Sequence, residues 1–263
     1  MSKTSITDDG VYPEFCYIAS KHDEVFQNFK RNAMYRHIVE GVSPAQGAGY
    51  LEVLFNESKV KFSAEQWNNF LQNDSQGNPL MITYNFGNSS ITCSPCTLRY
   101  IKVLSDIMSL FDTEKIKSVA EIGIGYAGQC RILTNTLPIE EYNLIDLPEV
   151  LALAERFLTE LNQNRGGVRY IDGTHLYNDI NSDLLISNYA FSELSKVAQD
   201  IYLEKIILKS KAGYITWNDL SAKRTNMDAY KLDEILSIIP NSYTIPEKPL
   251  IFEWNCIIVW GTK

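Results

Sequence analysis

The feature that most constrains this chain is a short apolar run that meets a glycine loop and then a helix. Residues 118–122 read Ser-Val-Ala-Glu-Ile, a strand by length and composition. Gly123-Ile124-Gly125-Tyr126-Ala127-Gly128 follows, a complete G-x-G-x-x-G, and residues 127–135 have helical spacing. Strand, glycine loop and helix in that order let the backbone approach a ligand closely at a helix N-terminus. The alternation continues downstream. Strand patterns at 142–145, 168–171, 183–187 and 213–217 are separated by helical ones, first from Pro148, then through Ile201, Leu203, Ile206 and Ile207. A helix over 223–238 and a strand-like "IFEWNCIIVWG" close the chain. This order predicts an α/β fold with a mostly parallel sheet covered on both faces. Ligands in such sheets bind beyond the carboxyl ends of the strands. The residues to watch are therefore Glu121, Asp146, Asp172, Asn188 and Asn218-Asp219.

The chain before this unit reads differently. Residues 12–71 are helical in pattern, with Ser43 to Gly49 as a break and Ser63 capping a helix that carries Gln66 three residues on. Residues 72–94 read as a loop-rich connection, and Ser94-Pro95 as a cap with proline at the first helical position. The expected division is a helical cap over 1–78 and a ligand-binding α/β domain over 79–263. With 263 residues, 45% of them hydrophobic, a sizeable core is available. A net charge of -8 argues against a broad nucleic-acid-binding face. No run has the purity of a membrane span, and "MSKTSITDDG" lacks the apolar stretch of a signal peptide, so the expected location is the cytoplasm. Five scattered cysteines suggest reduced thiols. Cys93-Ser-Pro-Cys96 has no second C-x-x-C to complete a zinc site, so no metal is expected.

The charge at the loop bears on which ligand it holds. A pyrophosphate is anionic and would be repelled by Glu121, which sits two residues before the first glycine. S-adenosylmethionine carries a sulfonium and an ammonium, which a carboxylate favours. Asp146 suits both ribose hydroxyls, although dinucleotide folds use the same device and the residue also suits a cap for the helix opened by Pro148. Asp172 suits an adenine amino group or, before Gly173, an ordinary turn.

The segments "SPCTLRYIKVLSDI", "EIGIGYAGQCRIL", "YNLIDLPEVLALAERFL" and "DLLISNYAFSELSKVAQDIYLEKII" carry a resemblance. The chain from about residue 79 resembles the class I S-adenosylmethionine-dependent methyltransferases, and more narrowly the bacterial sugar O-methyltransferases. The resemblance implies a Rossmann-like seven-stranded sheet with a reversed last strand, which "NCIIVWG" would fill. It implies S-adenosylmethionine as cofactor, held by Glu121, Gly123, Gly125, Gly128, Asp146, Leu147, Asp172, Gly173 and Asn188. The expected partner is a small-molecule sugar or sugar nucleotide, such as a surface-glycan precursor. A non-sugar small molecule remains the alternative and an NAD-dependent oxidoreductase a more distant one; a homodimer is left open.

Methyl transfer to a sugar hydroxyl is helped by a general base, because the hydroxyl pKa is high. Glu193 lies just past the fourth strand of the alternating run, His175 three residues after Asp172, and Asp219 at the end of the fifth. These are the candidate bases. His22 and His37, in the cap, are further candidates that could reach over the site, and Tyr189 and Trp217 are candidates for stacking or for packing.

Overall fold

A computed structural model describes residues 10–86, 89–163, 167–218 and 227–263. Its centre is a seven-stranded sheet. Five parallel strands, β3 (Ser118–Ile122), β4 (Glu141–Asp146), β5 (Val168–Asp172), β6 (Ser182–Asn188) and β7 (Ser210–Trp217), are followed by β8 (Tyr243–Pro246) and β9 (Cys256–Trp260). The order across the sheet is β5-β4-β3-β6-β7-β9-β8, with β9 antiparallel to both its neighbours. From β3 the chain runs outward through β4 and β5, then returns to lay β6 and β7 on the other side. That reversal opens a crevice at the carboxyl ends of β3 and β6. The seven-stranded mixed sheet with its reversed last strand is the one expected.

Strand side chains alternate between two cores, as the period of two requires. On β7, Tyr214 faces one core and Ile215 and Trp217 the other. The first core is shared by α6 (Pro95–Leu110), α7 (Gly128–Thr134), α8 (Pro148–Glu160) and the N-terminal helices. The second packs under α9 (Lys196–Lys205) and α10 (Leu232–Ile238). The N-terminal helices are α1 (Val11–Lys21), α2 (Asp23–Phe26), α3 (Ala33–Ile38), α4 (Pro44–Glu52) and α5 (Ala64–Phe70). No helix of the described residues is long and apolar enough to cross a membrane.

Four local expectations need correction. Ser43 to Gly49 is not a break: Ser43 and Gln46 form a reciprocal capping box and Pro44 opens α4. Capping outweighs the helix-weakening glycines, and Gly47 is needed because a Cβ there would collide with the Tyr84 ring. Residues 72–94 are not all loop. They contain an antiparallel pair, β1 (Ile82–Phe86) and β2 (Ser89–Cys93), in which Thr83 and Thr92 face each other with hydroxyls 2.9 Å apart. Cross-strand pairing of β-branched residues, invisible along one strand, stabilises it. At the C-terminus only Cys256–Trp260 of the apolar stretch is strand, and β8 precedes it. The expected helix over 223–238 begins at Leu232; residues 223–226 lie outside the described residues.

Candidate active site

The glycine loop is shaped by three residues with left-handed backbone: Gly123 (φ 74°), Gly125 (φ 54°) and Ala127 (φ 64°). At Gly123 a Cβ would also collide with Ala190, from the segment that follows β6. Gly128 differs. A Cβ there would lie 2.7 Å from the Tyr126 ring and 2.8 Å from the Tyr100 ring, so the third glycine serves packing beneath the loop.

Asp146, at the end of β4, holds the loop from the side. Its Oδ2 accepts from the Ile124 N–H at 2.8 Å and its Oδ1 from the Leu147 N–H at 2.8 Å. Burial pushes this carboxyl up to about 6, against the pull of those backbone donors. The Gly125 N–H adds a third backbone donor, which leaves the carboxyl about one lone pair for a hydroxyl donor. Glu121 lies deeper, 2% exposed, and its Oε2 accepts from the Tyr142 hydroxyl at 2.6 Å. Burial pushes its carboxyl up to about 8. The negative charge inferred from sequence is thus conditional: Glu121 ionises fully near neutrality only when a positive charge stands beside it.

A cavity of about 410 Å³ opens over these groups, a size suited to a small organic ligand. Glu121, Gly123, Gly125, Asp146, Leu147, Gly173, Asn188 and Glu193 all line it. Thus eight of the expected site residues, drawn from four separate segments, are brought to one place. Glu193 accepts a hydrogen bond on Oε1 from Asn218 Nδ2 at 2.8 Å, and burial raises its carboxyl above the usual range. Asn188 accepts from the Thr216 hydroxyl at 3.3 Å.

Three expected residues stand apart from the lining. Gly128 is packed as described. Asp172 turns into its own loop, where Oδ1 accepts from the Thr174 N–H and hydroxyl at 2.8 and 2.6 Å and Oδ2 lies 3.0 Å from His175 Nδ1. The His175 side chain is 63% exposed beside it. Asp219 lies outside the described residues. Of the aromatics, Tyr189 lines the cavity, with φ 71° and its hydroxyl donated to Glu247, whereas Trp217 is buried against Phe191.

The cavity also takes Tyr12, Ile38 and Val39 from the N-terminal helices, and Arg99 and Tyr100 from α6. None was singled out from sequence. Arg99 had a signal: it sits between buried Cys96 and Val103 at i+3 and i+7, a charge inside an apolar row. Behind the loop, Lys30 is fully buried. Its Nζ donates to the Asn73 carbonyl at 2.6 Å and sits 3.9 Å from the Tyr126 ring centroid. Asn73 in turn donates to the Gly128 carbonyl at 3.0 Å and accepts from Arg131 at 3.2 Å.

The strand order and the glycine loop at its reversal define a Rossmann-like α/β ligand-binding fold with a seventh, reversed strand. No protein-family model matches the chain, and no curated protein sequence matches it. Among solved structures the chain is similar to an O-methyltransferase family protein from Burkholderia thailandensis, with 10% identity and a TM-score of 0.46 over 62% of this chain and 56% of that one. It is also similar to the pyocyanin biosynthetic protein PhzM (14%, TM-score 0.43, 64% and 58% covered) and to PigF with SAH (16%, 0.45, 61% and 54%). The chain thus spans between half and three-fifths of the length of these proteins.

Proposed function

We propose that the protein is an S-adenosylmethionine-dependent O-methyltransferase acting on a hydroxyl of a small molecule. One observation carries the choice of cofactor over a dinucleotide. Within the glycine loop the Ile124 N–H is already bonded to Asp146, and a second acid, Glu121, lies beneath. A diphosphate would meet occupied donors and two carboxyl groups. A ligand with ribose hydroxyls and cationic centres meets acceptors. The residues present therefore fit S-adenosylmethionine. Asp146 would hold the ribose, Glu121 would answer the positive charge, and Gly123 and Gly125 would let the backbone close on the ligand.

When bound, the cofactor supplies a methyl group made electrophilic by sulfonium. The chain supplies position and a base. The cavity walls hold the acceptor and exclude water. Glu193 is the base: its raised pKa suits it to take a hydroxyl proton, and Asn218 orients it. A sugar hydroxyl is the acceptor that the sequence blocks quoted above favour; the aromatic lining from Tyr12, Tyr100 and Tyr189 suits a flat or ring-shaped molecule of either kind. Calorimetry tests the reading. S-adenosylhomocysteine is expected to bind and NAD to give no heat, and Asp146→Ala is expected to weaken the former by about 10- to 100-fold, the scale of hydrogen bonds to a charged group. NAD binding with no heat from S-adenosylhomocysteine overturns the assignment.

A further inference from the structure

One cation in the cavity wall lacks a counter-charge. Arg99 stands on the second turn of α6 and lines both the main cavity and a narrow cleft beside it that includes Tyr50, Tyr189 and Glu247. Its Nη2 donates to the Val39 carbonyl at 3.1 Å, and its Nε is buried without a hydrogen-bond partner among the described residues. The guanidinium carbon is 5.5 Å from the Tyr100 ring centroid and 6.0 Å from that of Tyr189, so two aromatic rings hold it in place. Among the described residues no carboxylate lies within ion-pair distance of it. The acids nearby are engaged elsewhere: Glu121 by Tyr142, Asp146 by the glycine loop, Glu193 by Asn218 and Glu247 by Tyr189 and Asn255. Glu40, whose field reaches Arg99, is shared with buried Lys30 and accepts from Ser94 at 3.2 Å.

A shielded guanidinium without a counter-ion is costly, and its planar fork matches the two oxygens of a carboxylate. We propose that Arg99 is the anchor for a carboxylate carried into the cavity by its ligand. Two molecules of the methyl-transfer reading, on which this inference rests, can bring one: the cofactor, through its amino-acid tail, or an acidic acceptor. In either case Arg99 sets the orientation of the molecule along the cavity, because a bidentate pair fixes direction as well as position.

The test separates the sources. Binding of S-adenosylhomocysteine and of 5′-methylthioadenosine, which has the nucleoside and thioether but no amino-acid tail, is measured for wild type, Arg99→Gln and Arg99→Lys. On the same proteins saturated with S-adenosylhomocysteine, binding of glucuronate is compared with that of glucose. If the carboxylate is the cofactor's, Arg99→Gln loses roughly 10- to 100-fold in affinity for S-adenosylhomocysteine and keeps that for 5′-methylthioadenosine, which also shows that the cavity is intact. Arg99→Lys, with the charge but not the fork, loses less. If the carboxylate is the acceptor's, S-adenosylhomocysteine binds Arg99→Gln normally, and the wild-type preference for glucuronate over glucose disappears. The inference is overturned if both nucleosides weaken equally in both variants, or if neither the nucleosides nor the sugar preference responds. A wild-type protein that binds neither nucleoside sinks the methyl-transfer reading and this inference together, whereas normal wild-type binding with unresponsive variants sinks only the latter.

Discussion

Glu121 is buried and Glu193 half-buried in the wall of one cavity, and on the proposed reading their environments suit them to different tasks. Among the described residues Glu193 has one side-chain donor, Asn218, and its carboxyl is raised by burial. Glu193→Gln is expected to leave S-adenosylhomocysteine affinity nearly intact and to lower turnover by about 10²-fold or more, the usual scale of general-base catalysis. His175→Ala is the control; normal turnover in Glu193→Gln together with its loss in His175→Ala would move the base to the exposed histidine. Glu121 makes itself felt in stability. An unfolded glutamate titrates near 4.3, and this one is pushed up to about 8 in the folded chain. The folded state holds the extra proton between those values, so stability falls as the pH rises through that window, and the loss is complete above it. Relative to wild type, Glu121→Gln should gain stability from about pH 5 to pH 8, at a slope approaching ~1.4 kcal/mol per unit, and no more beyond. Urea midpoints at three pH values decide it; parallel profiles for the two proteins would mean that Glu121 is already ionised.

At the scale of elements, close approaches decide more than propensities do. On β7, Gly213 lies beneath the Trp260 ring of β9, where an added Cβ would collide with the indole. Gly213→Ala is expected to cost about 1–3 kcal/mol, the range for overpacking a well-filled core, and a thermal melt measures it. An unchanged melting temperature would show that the indole can move aside. Such approaches also explain what could be read in the chain. The parallel strands were legible because each is a short apolar run with a polar residue at or beside its ligand edge, as in "YNLID" and "LLISN". The capped helix at Ser63 was legible because its signal is local. The β1–β2 pair and the true start of α4 were not, since Thr83 opposite Thr92 and Gly47 beneath Tyr84 acquire meaning only in space. Glu121 and Asp146 could be placed in the site from strand ends and the glycine spacing. Arg99, Ile38 and Val39 reach the same cavity from segments that carry no such mark.

For the whole molecule, the first helices and the sheet share one apolar core. Phe29 packs on Tyr126 with ring centroids 5.8 Å apart, Tyr126 on Phe157 at 4.8 Å, and Arg156 of α8 donates to the Ala19 and Ser20 carbonyls of α1, each at 3.3 Å. We expect residues 79–263 alone to lose cooperative unfolding, because removal of the preceding segment would bare this aromatic cluster. A sharp melt of the truncated protein, with S-adenosylhomocysteine bound as in the full chain, would make the N-terminal segment a separable lid.

The buried Lys30 adds a thermodynamic consequence. Its ammonium is bonded to Asn73, and Asn73 to the Gly128 carbonyl, so the glycine loop has part of its floor in residues far upstream. We expect ordering of that floor and occupancy of the cavity to be linked equilibria, each favouring the other by the same free energy. Amides near Phe29 to Arg31, behind the loop, should exchange with solvent more slowly when the ligand is bound. A protease or denaturant that peels the first helices away works against the ligand with the same free energy by which the ligand resists it.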